Sequence, residues 1–240
     1  MKTLNGMVIY RFKKALHLTA LFCSIRFKNK IKFLGSLFGS HAQLHQDLFA
    51  LSHFDFKKGG YFVEFGACNG RYLSNTLMLE ESFRWSGLLS EPAKSWHDEL
   101  RINRKAKIDF RCVWKKSGED ITFYEENDAA LSGIYNDDNP KDDKLNYTGY
   151  QVKSVTLIDL LKENNAPRKI DFLSIDTEGS EFDILSNFDF NEYRVEVICV
   201  EHNYSVNRES IFQLLTNNGY KRKFRFLSRF DDWYVLPNEI

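Results

Sequence analysis

Four carboxylates in this chain come directly after, or end, apolar runs: Glu64 ends Tyr61-Phe62-Val63-Glu64, Glu91 follows Ser86 to Ser90, Asp176 follows Ile170 to Ile175, and Glu201 follows Val195 to Val200. Glu178 and Glu181 lie just beyond Asp176, and His202 and Asn203 just beyond Glu201. Carboxylates accept hydrogen bonds from hydroxyls or hold hard divalent cations, and a histidine beside them can take a proton near neutral pH. In an open α/β sheet, ligands bind outside the carboxyl ends of the strands, so acids gathered there call for a partner.

The loop after the first run, Phe65 to Thr76 (FGACNGRYLSNT), narrows the ligand. It lacks G-x-G-x-x-G, which argues against a nicotinamide dinucleotide, and Gly70 is followed by Arg71-Tyr72 rather than Lys-Ser or Lys-Thr, which argues against a nucleoside triphosphate. An acid at a strand end followed by a short glycine turn suits a ligand with an amino-acid moiety. Glu64 can order the loop or reach a cationic amine, while backbone groups meet a carboxylate; S-adenosylmethionine is such a ligand. Gly66, Ala67, Gly70, Ser74 and Asn75 are the candidate contacts, although the same glycines would serve an ordinary strand-to-helix turn. Glu91 falls about 25 residues later, where an acid can accept both hydroxyls of a ribose; it also suits the N-terminus of a helix begun by Pro92. Val113, at the end of the third expected strand, and Asp176 complete the expected cofactor set.

Methyl transfer from a sulfonium to an alcohol is an in-line displacement that needs the acceptor aligned and its proton removed. His202 is the leading general base, with Asp176 or Glu201 orienting its ring. The competing arrangement is a magnesium or manganese ion held by Asp176, Glu178 and Glu201, acting as a Lewis acid. Glu178 and Asn203 are candidates for acceptor hydroxyls, and Glu181 for the following helix N-terminus. All three acids after Ile175 would equally serve as helix-capping groups.

Alternating strand-like and helix-like blocks predict an α/β fold with a parallel sheet covered on both faces. Strands are expected near Tyr61–Glu64, Gly87–Ser90, Ile108–Val113, Ile170–Ile175, Val195–Val200, Tyr220–Phe226 and Trp233–Leu236, the last two as an antiparallel hairpin. The polar stretch Glu125 to Tyr150 reads as an exposed loop, with Ala130 to Tyr135 as an acceptor lid or a plain surface insertion. Trp114, Tyr135, Tyr204 and Trp233 are placed at edges or loops, where they either pack ordinarily or meet adenine or a sugar face.

The composition, 43% hydrophobic and 15% aromatic over 240 residues, supports a full core: one catalytic domain, 41–240, after a basic amphipathic extension, 1–40. Eight bases and no acid precede Asp47, so the zero net charge hides an acidic remainder. The apolar run Ala15 to Ile25 is too short to span a bilayer, and residues 1–38 suit either peripheral contact with anionic lipid or packing on the domain. No nucleic-acid module follows the basic arm, so no nucleic-acid partner is expected. Cys23, Cys68, Cys112 and Cys199 lie far apart, as reduced thiols of a cytoplasmic protein do.

Taken together, the blocks QLHQDLFAL, GGYFVEFGACNGRYLSNTLMLEE, WSGLLSEP, IDFLSIDTEGSEFDIL and VICVEHN resemble the FkbM-type methyltransferases, from about Gln43 to Trp233. The chain departs at Cys68-Asn69, where relatives often carry a polar residue followed by Asp. The resemblance implies a class I, Rossmann-like sheet of seven strands with a C-terminal antiparallel hairpin. It also implies S-adenosylmethionine-dependent O-methylation, frequently of a sugar, glycan or other secondary hydroxyl. A nonenzymatic cofactor-binding protein, or a membrane-associated scaffold of the same fold, is the alternative.

Overall fold

The computed structural model describes residues 16, 18–135, 145–226 and 228–237. Seven strands form one sheet: β1 (Tyr61–Phe65), β2 (Ser86–Ser90), β3 (Lys107–Asp109), β7 (Lys169–Ile175), β8 (Arg194–Glu201), β9 (Lys221–Lys223) and β10 (Asp231–Val235), in the order β3-β2-β1-β7-β8-β10-β9. The first five pair in parallel, whereas β10 runs antiparallel to both β8 and β9. This is the seven-stranded sheet with a C-terminal antiparallel hairpin that the sequence led us to expect. The strand order reverses between β1 and β7, and there the carboxyl ends of adjacent strands open a crevice.

Each central strand buries both faces, which is why it reads as a nearly continuous apolar run. Val63, Phe65, Leu173, Ile175, Ile198 and Val200 point to one side, into a core shared with α5 (Leu157–Glu163), α6 (Glu181–Ser186) and α7 (Asn207–Asn217). Phe62, Phe172, Val197, Cys199 and Trp233 alternate to the other side. There they meet α2 (Gln46–His53), α3 (Leu77–Phe83) and α4 (His97–Asn103), together with Leu21, Ile25 and Phe33 from the N-terminal region. Trp233, placed at an edge by the sequence, is fully buried between Phe49 and Phe224. Phe33 belongs to the short helix α1 (Lys30–Ser36), so the latter part of the N-terminal extension packs on the domain; residues 1–15 lie outside the described set.

Two corrections concern strands. The expected strand Ile108–Val113 is broken after Asp109, because the Asp109 carboxylate accepts from the Arg111 backbone N–H (2.9 Å) and its guanidinium, turning the chain. Its continuation, β4 (Cys112–Val113), joins β5 (Asp120–Glu126) and β6 (Tyr147–Val155) in a separate three-stranded sheet, β4-β6-β5. The supposed loop Glu125–Tyr150 is therefore strand at both ends, β5 pairing antiparallel to β6; residues 136–144, Pro140 among them, lie outside the described set. Phe123 and Val152 face a small core with Trp114, whereas the outward positions are polar and disguise the strands.

Candidate active site

Gly66, the first residue after β1, has φ +74°, and a Cβ there would sit 1.9 Å from the Asp176 carbonyl oxygen. Only glycine allows the β1 and β7 loops to approach this closely. Two positions on, the Cys68 backbone N–H donates to Glu91 Oε2 (2.7 Å), and the Ala93 N–H donates to Glu91 Oε1 (2.8 Å). Glu91 thus ties the β1 loop to the β2 loop while retaining lone pairs on each oxygen. Burial pushes its carboxyl up to about 7.

Glu64 has a different surrounding. Its carboxylate accepts from the Asn75 N–H (2.6 Å), Thr76 Oγ1 (2.5 Å) and Ser74 Oγ (3.1 Å), and pairs with the fully buried guanidinium of Arg104 (3.3 Å). Arg104 also pairs with Glu80 (3.0 Å) and donates to the Gly70 carbonyl (3.3 Å). A Cβ on Gly70 would lie 2.5 Å from Arg104 Cγ, so this glycine makes room for the arginine stem. Glu64 therefore orders the loop. Gly70, Ser74 and Ala67 support it from behind, without lining the cavity that the loop encloses.

That cavity measures about 320 Å³ and lies across the carboxyl ends of β1, β2, β7 and β8. Glu64, Gly66, Asn75, Glu91, Val113 and Asp176 of the expected cofactor set line it, as do Glu178, Glu201 and Asn203. Asn75 donates Nδ2 to Ser174 Oγ (2.8 Å), while its buried Oδ1 has no partner among the described residues. A free acceptor at the loop end and the spare lone pairs of Glu91 fit the amine and the ribose of S-adenosylmethionine, respectively.

At the far side, carboxylate oxygens of Asp176, Glu178 and Glu201 lie within 4.8 Å of one another. Asn203 Nδ2 donates to Glu201 Oε2 (2.8 Å) and Glu178 Oε2 (3.2 Å). Burial followed by mutual repulsion raises Glu201 well above the usual carboxylate range and Glu178 to about 8. Burial raises Asp176 as well, but the hydrogen bond that it shares with Glu201 favours its ionised form. Their shared hydrogen bond favours the proton on Glu201 over Asp176. Glu181, by contrast, accepts from the Thr177 and Gly179 N–H groups (2.9 and 3.1 Å) and closes the turn before α6. Glu178 is held in a left-handed conformation (φ +55°), which aims it back toward the cluster.

His202 is not brought into this group, which corrects its placement as general base. It is buried and absent from the cavity wall, and its Nδ1 accepts from the Tyr204 N–H (2.9 Å). Its Nε2 stands 3.8 Å from Asp232, whose carboxylate is engaged by Arg208 and Arg222. Burial pushes the ring down to about 4, so it is neutral and turned to β10. The segment Ala129 to Ile134, bridged to β5 through Tyr124 and Gly133, lines the remaining wall; Gly133 passes close to Glu178. Arg104 is the residue that the sequence reading missed. Nothing in RINRKAK marks one base as buried.

The methyltransferase FkbM domain matches residues 64–222. No curated protein matches the chain. Among solved structures the chain is similar to a precorrin-6Y C5,15-methyltransferase from Geobacter metallireducens GS-15, at 9% identity and a TM-score of 0.43 over 79% of this chain and 85% of that one. The FkbM match spans more than half of the sequence and contains Glu64, Glu91, Asp176 and Glu201, so the chain belongs to the FkbM methyltransferase domain family.

Proposed function

We propose that this protein transfers the methyl group of S-adenosylmethionine to a hydroxyl oxygen of a sugar, glycan or glycolipid precursor. One observation carries the reading: a single cavity joins two acceptors with capacity to spare, Asn75 Oδ1 and the Glu91 carboxylate, to three carboxyls of raised proton affinity. The cofactor, when bound, supplies an electrophilic methyl group on a sulfonium. Glu91 accepts the ribose hydroxyls, and Asn75 Oδ1 accepts from the amine. Asp176, ionised beside protonated Glu201, takes the acceptor proton as the oxygen–carbon bond forms, while Glu178 and Asn203 hold neighbouring hydroxyls. A general base of this kind contributes about 10²- to 10⁴-fold in rate.

The 4.8 Å clustering of three carboxylates also supports a second reading, in which a divalent cation sits among Asp176, Glu178 and Glu201. The oxygen-only donor set fits magnesium or manganese better than zinc. Calorimetry with S-adenosylmethionine tests both readings. Micromolar binding that weakens at least about tenfold in Glu91→Ala is expected, since two charge-assisted hydrogen bonds are lost. Folded protein that ignores the cofactor would overturn the proposal, and affinity or turnover that collapses with chelator and returns with magnesium would favour the cation.

A further inference from the structure

The helical stretch 27–38 carries an apolar stripe that faces outward. Ile31 and Leu34 lie three apart on α1, and Phe27 and Phe38, four residues to either side, lie in the 3-10 turns Phe27–Asn29 and Leu37–Gly39 that flank it. They are 88, 82, 51 and 98% exposed. The opposite side is anchored: Phe33 is buried against Phe22 and Phe56, and Asn29 Nδ2 donates to Asp55 Oδ1 (2.7 Å). Docking of Phe33 and Asn29 on the body therefore fixes the stripe toward solvent.

Bases flank the stripe on both sides. Arg26, Lys28 and Lys32 are exposed and Lys30 is half-buried. Asp55 is the acid that meets them, at 2.9 Å from Arg26 and 3.8 Å from Lys28. Surface pairs of this kind are weak and exchange readily with another anion. Single exposed apolar side chains are ordinary, but four in one line between cationic margins are the pattern of an interfacial helix.

We propose that this stripe docks on an anionic lipid surface, with the four apolar side chains entering the boundary between headgroups and acyl chains and the bases meeting lipid phosphates. The charge decides between occupants. A second copy of the chain, seated stripe to stripe, would bring the same bases against each other, whereas an anionic bilayer complements both the apolar line and its margins. The inference is independent of the methyltransferase chemistry, because none of these residues lines the cavity.

Co-sedimentation of the full chain with phosphatidylcholine vesicles, with and without phosphatidylserine and at low and high salt, tests the proposal. Partition into the phosphatidylserine vesicles is expected, salt-sensitive and reduced at least about tenfold in Phe27→Asp/Ile31→Asp and in Lys28→Glu/Lys32→Glu. Phe38→Asp, at the most exposed position, gives the same direction should a double variant fail to fold. Thermal melting and S-adenosylmethionine affinity should not change in any of them. Wild-type protein that stays in the supernatant, or variants that bind as well as wild type, would overturn it. So would a concentration-dependent dimer that Phe27→Asp/Ile31→Asp abolishes.

Discussion

Asp176 and Glu201 are both raised by burial, but the hydrogen bond between them favours the ionised form of Asp176 and the protonated form of Glu201. In the proposed reaction that asymmetry assigns proton acceptance to Asp176. Asp176→Asn should lower turnover on an acceptor by at least about a hundredfold, with cofactor affinity changed far less, as initial rates and calorimetry would reveal. The rate of the wild-type enzyme should rise with pH above the ordinary carboxylate range, since ionisation of a raised carboxyl limits it. His202→Ala should leave kcat within about threefold, because a ring turned to β10 reaches no reacting atom; a deeper loss would return the histidine to the mechanism. Adjacency of Glu201 and His202 in sequence suggested a shared site. Successive residues of an extended strand point to opposite faces, and that alternation sends the acid to the cavity and the imidazole away.

Among the elements, the turn from β1 to α3 depends on one cation. Arg104 arrives from the end of α4 and compensates Glu64 and Glu80, while donating to Thr76 Oγ1 (2.8 Å) and the Gly70 carbonyl. Removing one partner of a buried pair strands the other charge, so Arg104→Met should cost about 3–5 kcal/mol in urea unfolding. Arg104→Lys should recover only part of this, since an ammonium cannot span acceptors set for a planar fork. Unchanged stability of Arg104→Met would show that the acids find other compensation. How much was legible follows from the same physics. Strands β1, β2, β7 and β8 announce themselves because both faces are buried, and the acids at their ends follow by position. Strands β5 and β6 bury one face of a small sheet and put Thr122, Gln151 and Lys153 on the other, so the stretch from Glu125 onward reads as loop. The break at Asp109 depends on one side chain closing a turn onto Arg111, a choice invisible to periodicity. Arg104 stayed hidden because its partners, Glu64 and Glu80, lie on other elements.

Over the whole molecule, the carboxyl edge of the sheet concentrates acids that are pushed toward neutrality by burial. Glu91 and Asp47 titrate near 7, and Glu178 and Asp231 near 8. Asp47 accepts from Ser40 Oγ and the Leu48 N–H on Oδ1, and Asp231 accepts from Gln46 and Trp233. Each of these groups binds its proton more tightly folded than unfolded. Their contribution is fully present below the ordinary carboxylate range and is lost as pH rises through 7 to 8. His202 works in the opposite sense, because its folded pKa of about 4 is depressed, so its contribution is complete above about 6.5 and fades on acidification below that. Between about pH 6.5 and 8 the acids act alone, and stability should fall as pH rises, by up to about 1.4 kcal/mol per pH unit for each group while it titrates. Denaturant unfolding across that window should show the decline. Asp47→Asn together with Asp231→Asn should make it shallower, since an amide carries no proton to lose, while Glu91 and Glu178 continue to titrate. A wild-type profile that is level from 6.5 to 8 would mean that these carboxyls are already ionised and solvated in the folded protein, and with that the raised proton affinity assigned to the carboxyl edge would fail.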